Sequence, residues 1–251
     1  MEQSLNTEVN SESDFRARFR NFLLTIIALM LGFGQWNDSK DLAVSIYEAI
    51  ISNFTHNVEY KTLSQIDVGI TKDYLEMLVG KPKVIKSSTL SPEHSFEYIF
   101  NDKYLLTAIY KGQRLEGFSV MATVDDFSPE IPFTANQLNS ATLFAISSSS
   151  PDSIAADTVN LSYFMETSNL GYSGMFLNRA IGQINYDNSV SYAERLYDLQ
   201  QSIILGTDDE VASLSEELRH LVKPNFYALA AVDGEIINES LLTKYEYQRF
   251  Y

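Results

Sequence analysis

Hydrophobic positions change their spacing twice along this chain, and each change predicts a different kind of element. From Phe22 to Trp36 they are nearly continuous. No residue between Asn21 and Asn37 is charged, so a helix there would span roughly 25 Å, against a hydrocarbon core of about 30 Å. Leu42, Ala43, Ile46, Tyr47, Ile50 and Phe54 then recur at helical spacing and predict an amphipathic helix ending near Asn53. A shorter helix is signalled by Thr71, a capping residue ahead of Lys72 to Val79. Gly80 there suits a left-handed C-terminal position, and Pro82 follows. From Ser95 the period becomes two: Phe96, Tyr98 and Phe100; Tyr104, Leu106, Ala108 and Tyr110; Leu115, Phe118, Val120 and Ala122. These are three strands joined by Asn101-Asp-Lys103 and Lys111-Gly-Gln-Arg114, an antiparallel meander with one face available to the preceding helix.

Pro129 and Pro132 interrupt the pattern and predict a boundary near residue 130. After Leu143-Phe-Ala-Ile146 comes a polar loop, Ser147 to Ser153. Strands are expected at Val159–Met165 and Met175–Leu177, around a turn at Asn169 to Gly174, with a further one at Ile181 to Tyr186. Two helices follow: Tyr192 to Leu205, apolar at Ala193, Leu196, Leu199 and Ile203, and Asp208 to Val222, whose three leading acidic residues suit a helix N-terminus. Phe226–Val232 and Ile236-Ile237 about Asp233-Gly234 predict a closing hairpin. The expected fold class is α+β: an N-terminal transmembrane helix followed by antiparallel-sheet and helix units.

The flanks of the apolar run orient it. Arg16, Arg18 and Arg20 precede it and Lys40 follows, so the positive-inside rule puts the N-terminus in the cytoplasm and the body outside. Trp36 is suited to a membrane interface, and arginine side chains reach toward headgroups, which lengthens a short span. A cleaved signal peptide fits less well, because about twenty polar residues precede the run and Gly32-Phe-Gly-Gln-Trp36 offers no small-residue cleavage pattern. A core helix of a cytosolic protein is the other alternative. The resulting division is a flexible cytoplasmic tail (residues 1–20), an anchor (21–37), a helix with a three-stranded unit (38–130) and a second acidic α+β unit (131–251).

Charge bears on partners. Residues 37–251 hold 15 basic and 29 acidic side chains, a net of -14, which disfavours nucleic acid and anionic headgroups as partners of the body. Residues 37–122 have a net of -2 and residues 123–251 a net of -12, suggesting two surfaces of different character. The chain has no cysteine, which excludes disulfides and thiolate metal sites.

No residue set spells out a reaction. Gly171-Tyr-Ser-Gly174 falls short of a nucleophile elbow because Met175 stands where that motif needs glycine, so turn chemistry is the better reading of Ser173 and its glycines. His56, His94 and His220 are isolated in sequence. Asp125-Asp126 and Asp208-Asp209-Glu210 lack a calcium-loop pattern and read as loop and helix-start residues. Lys81, Lys83 and Lys86 form a small basic cluster that could meet an acidic partner. No catalytic, cofactor-binding or metal-ligating residues are assigned.

The stretch Val68-Gly-Ile-Thr-Lys-Asp-Tyr-Leu-Glu-Met-Leu-Val-Gly-Lys-Pro-Lys83 resembles the G-x-T-x-x-x-V-x-x-x-L-G-x-P signature of small extracytoplasmic BamE/SmpA-type domains. Gly69, Thr71, Leu75, Gly80 and Pro82 occupy its matching places, and the resemblance covers about residues 66–122. It implies a capped helix leading into a three-stranded antiparallel sheet outside the cytoplasm. Those proteins carry a lipidated cysteine and this chain has none, so their outer-membrane assembly role is not carried over. The whole arrangement looks like bacterial single-pass inner-membrane proteins. The expected function is a non-enzymatic interaction, assembly or sensing module, bound to the membrane through residues 22–36 and to a protein partner through its body, with no cofactor. The alternatives are a cytosolic regulatory or defence-accessory protein and, third, a carboxylate-based hydrolase.

Overall fold

The computed structural model describes residues 22–28, 56–147, 149–187 and 191–250. The chain forms two compact units, Met1–Val58 and Glu59–Tyr251. In the first, residues 22–28 are helical, and Phe22, Leu23, Leu24 and Ile27 are all exposed. The rest of the predicted anchor, its flanking Arg16, Arg18, Arg20 and Trp36, and the expected helix over residues 42–54 lie outside the described residues. Among the described residues no helix is long and apolar enough to cross a membrane.

The second unit is α+β, as expected. It opens with α1 (Asn57–Leu63) and α2 (Lys72–Val79) and continues through β1 (Val84–Ser87), β2 (His94–Phe100), β3 (Tyr104–Lys111) and β4 (Arg114–Ala122). After α3 (Leu143–Ile146) come β5 (Ser153–Asp157), β6 (Ser162–Asn169), β7 (Asn178–Asn185), α4 (Ala193–Leu205), α5 (Asp208–Leu221) and β8 (Phe226–Ala230). The chain ends in α6 (Gly234–Glu239) and α7 (Lys244–Phe250). All eight strands share one antiparallel sheet in the order β1-β2-β3-β4-β8-β7-β6-β5. The segment around Pro129 and Pro132, where a boundary was expected, lies between β4 and α3, and β4 pairs with β8 across it.

Both faces of the sheet are covered. Alternate strand residues Leu106, Val120, Tyr227 and Ile181 meet α1, α2, α4 and α5 through Leu63, Leu75, Leu196, Leu199 and Leu218. The opposite positions Phe96, Tyr98, Ile109, Met121 and Phe226 pack under the C-terminal segment through Ile237 and Leu242. Two-sided burial explains why Tyr104 to Tyr110 is buried at every position, although its alternation predicted a single covered face. One register row crosses all eight strands as Val84, Tyr98, Thr107, Ser119, Ala228, Ala180, Thr167 and Ser153. Its small central residues leave room for α6: a Cβ on Gly234 would stand 3.3 Å from Thr167 Oγ1.

Several expectations are corrected. Phe226–Ala230 is followed by a helix rather than a hairpin partner, because β4 and β7 already occupy both edges of β8. Ile237 instead lies on the buried side of α6. Val84–Ser87, which carries Lys86 of the basic cluster, is a strand on the sheet's edge, so the meander expected with three strands has a fourth, β1, beside β2. Ser153–Asp157, which no spacing signalled, is the other edge. The strand expected at Val159–Met165 begins at Ser162, and Met175–Leu177 belongs to a hairpin end rather than a strand.

Candidate functional site

A groove lies over the seam between β4 and β8, on the face carrying α1 and α2. Its volume is about 550 Å³, within the range of small-ligand sites. Phe118, Tyr227 and Leu229 line it from the sheet, as they follow the alternation that points Phe118 and Leu229 to the same face as paired residues. The Phe118 and Tyr227 rings meet edge to face at 6.3 Å, and burial pushes the Tyr227 phenol well above its ordinary value. One wall comes from α1 and the turn after it, with Tyr60, Lys61, Ser64 and Asp67; the other comes from Ser128, Glu130, Phe133 and Gln137.

The second wall is tied down at both ends. The Ser128 amide donates to the Tyr60 hydroxyl at 2.9 Å, and Tyr60 stacks on Phe127, which stacks in turn on Tyr104. Burial raises the Tyr104 phenol to about 12. From β7, Arg179 Nη1 donates to the Phe133 carbonyl at 3.1 Å, and burial lowers its guanidinium from the ordinary value. Phe133 itself has a left-handed backbone (φ 59°) and is exposed. An aromatic floor, serine and tyrosine hydroxyls, one side-chain amide and charges of both signs make a surface suited to recognition. Of its hydroxyls, Ser64 Oγ donates to the Lys61 carbonyl at 2.9 Å.

A second cluster does have catalytic order. His94 is buried, its Nδ1 lies 2.7 Å from Ser91 Oγ and its Nε2 lies 2.9 Å from Glu116 Oε2. Acyl transfer also needs donors for a developing oxyanion, and the neighbouring amides are committed. Thr89 and Leu90 donate to Glu239 Oε1, and Ser91 donates to Ser88 Oγ. Glu93, next to His94, pairs with Lys111 at 2.7 Å. The cluster therefore ties the β1–β2 connection to β4 and α6.

The sequence-derived residues are spread across the body. Gly69 takes φ 103° and donates to the Leu115 carbonyl at 2.7 Å; Thr71 caps α2, accepting from the Tyr74 amide at 3.4 Å. Leu75 is buried, and Gly80 (φ 85°) donates to the Glu76 carbonyl ahead of Pro82. Lys81 is exposed, Lys83 Nζ sits 5.3 Å over the Phe100 ring, and Lys86 Nζ lies 2.8 Å from Glu246 Oε1. That ion pair and the Thr243 bonds outweigh burial and hold the Glu246 carboxyl below its ordinary value. Asp125 and Asp126 are exposed after β4, Asp208 to Glu210 form the first turn of α5, and Ser173 Oγ donates to the Leu170 carbonyl at 3.2 Å. His220 stacks on Phe144 at 4.0 Å. Among the described residues no group of three metal-ligating side chains converges.

Sequence reading missed the groove, whose floor looked like ordinary strand residues and whose second wall looked like a domain boundary. The paired prolines at 129 and 132 were the available signal. It also missed the buried pair of Glu166 and Arg219, 3.0 Å apart between β6 and α5. Burial raises the Glu166 carboxyl to about 7, against the attraction of Arg219 and with help from Glu216. No protein-family model, no curated protein and no solved structure matches this chain.

Proposed function

We propose that the chain is a membrane-anchored, non-enzymatic binding module of the bacterial inner membrane, its N-terminus cytoplasmic and its acidic body outside. The observation that carries this reading is the helix over residues 22–28: Phe22, Leu23, Leu24 and Ile27 are 43 to 63% exposed. Apolar side chains on several sides of one helix, left uncovered within an uncharged run from Asn21 to Asn37, suit a lipid environment. The arginine-rich flank supplies the orientation. The resemblance of residues 66–122 to extracytoplasmic domains supports the same side for the body. A binding role accords with the groove, whose composition favours an apolar side chain of a protein partner seated over Phe118, Tyr227 and Leu229.

The test is topological. With a C-terminal tag, protease added to intact spheroplasts removes the tag, and alkaline carbonate leaves the protein with the membrane. A tag protected until lysis refutes the orientation, and release by carbonate refutes the span.

A further inference from the structure

Ten consecutive residues, Asn169 to Asn178, carry no charge within a half of the chain whose net is -12. They form the end of the β6–β7 hairpin. Leu170 and Leu177 pack inward on the core, while Tyr172, Met175 and Phe176 stand 88, 71 and 65% exposed. The turn is built to keep them out. Gly171 takes φ 60°, a Cβ on Gly174 would meet Leu170 Cβ at 2.2 Å, and Met175 and Phe176 both adopt left-handed backbone, which bulky residues rarely do. The tip also pairs most of its own amides. The amides of Leu170, Gly171, Gly174, Met175, Phe176 and Leu177 all donate within the hairpin, and Asn169 Nδ2 donates to the Phe176 carbonyl at 2.9 Å.

Two partners would suit exposed aromatic residues, and area separates them. The three side chains present roughly 400 Å² if each offers most of a large side chain, whereas a stable protein interface buries about 800 Å² on each partner. A lipid surface has no such minimum when the body is already tethered, because the tether supplies a high effective concentration. Internally paired amides lower the cost of leaving water, aromatic rings favour the headgroup region, and absence of charge spares the tip the repulsion that the acidic body would meet at an anionic surface.

We infer that Tyr172, Met175 and Phe176 form a lipid-contacting tip that docks the body on a neutral bilayer surface. This rests on the anchored reading above. The cysteine-free chain permits a direct test: full-length protein bearing Met175→Cys, or Ile204→Cys on exposed α4 as control, is labelled with an environment-sensitive fluorophore and reconstituted into phosphatidylcholine vesicles. The expected result is co-flotation with the vesicles, a blue shift and quenching by nitroxide lipids at position 175, neither at 204, and loss of the shift at 175 on adding Tyr172→Ser and Phe176→Ser. Co-flotation with a water-like signal at 175, or equal shifts at both positions, overturns the tip and leaves the anchor standing. Failure to co-float overturns the anchor and the tip with it.

Discussion

Gly117 is where the two halves of the sheet are sewn together, and replacing it measures that seam. It pairs with Ala230 of β8, and a Cβ added to it would stand 2.5 Å from Ala230 Cβ, 3.1 Å from Ala230 Cα and 3.4 Å from Ile109 Cδ1. Carbon atoms prefer about 3.5–4.0 Å, so the strands would have to part locally by about 1 Å. Overpacking of this kind costs about 1–3 kcal/mol, and contact with backbone as well as side chain argues for the upper part of that range. Alanine recovers about 0.5–1 kcal/mol over glycine within a strand. The expected net loss for Gly117→Ala is therefore about 2 kcal/mol, or about 4–8 °C in Tm for a body of this size. Ala230→Gly alone loses a buried methyl and adds chain freedom, for about 1–2 kcal/mol. Together the new Cβ occupies the vacated space, and the pair should couple favourably by about 1–2 kcal/mol. Urea unfolding of the four proteins at constant m-value reads the cycle. A Gly117→Ala protein as stable as the parent, or losses that add to within about 0.5 kcal/mol, would refute this β4–β8 register.

Glu166, raised to about 7 by burial, holds its proton more tightly folded than unfolded, so its contribution is full below about pH 4.5 and is lost as pH rises through 7. Glu166→Gln should flatten that part of the stability profile, a difference of about 3 kcal/mol at most between pH 4.5 and 8; an unchanged profile would exclude the shift. Arg219→Ala should cost about 3–5 kcal/mol, because it strands Glu166 and leaves the Ser149 carbonyl without its 3.0 Å donor; adding Glu166→Gln should restore part of that loss in calorimetry. Thr71→Ala removes the α2 cap and should cost about 1 kcal/mol in the same assay, with Thr71→Ser nearly neutral. Tyr60→Phe removes the acceptor for the Ser128 amide, and hydrogen exchange should quicken at that amide while β3 is unaffected.

What the sequence made legible was local. Thr71 and Gly80 bracket a helix by capping chemistry that acts within one turn, and the runs at Phe96, Tyr104 and Leu115 are long enough for period-two spacing to stand out. The same holds for α4 and α5, where Leu196 and Leu199, then Leu214 and Leu218, mark a buried side. What stayed hidden depended on partners distant in the chain. Val84–Ser87 becomes a strand because Phe96 and Tyr98 offer it an edge, and its four residues, one of them Lys86, are too few to show the pattern. Ser153–Asp157 has small and polar residues that say little until β6 lies beside it.

The groove belongs to that second class. Its floor joins Phe118 to Tyr227 and Leu229, more than a hundred positions later, and both segments carry the alternation of ordinary strands. No spacing rule connects them, since the contact exists through the insertion of β8 between β4 and β7. That insertion also explains why Asp233-Gly234 misled: a turn pair after a strand signals a hairpin when the strand has a free edge, and β8 has none. A strand placed centrally in a sheet but last in sequence thus carries two consequences together. It closes the core across the Pro129–Pro132 segment, and it brings that segment over the seam, where Tyr60 and Arg179 hold it as the wall of a cleft.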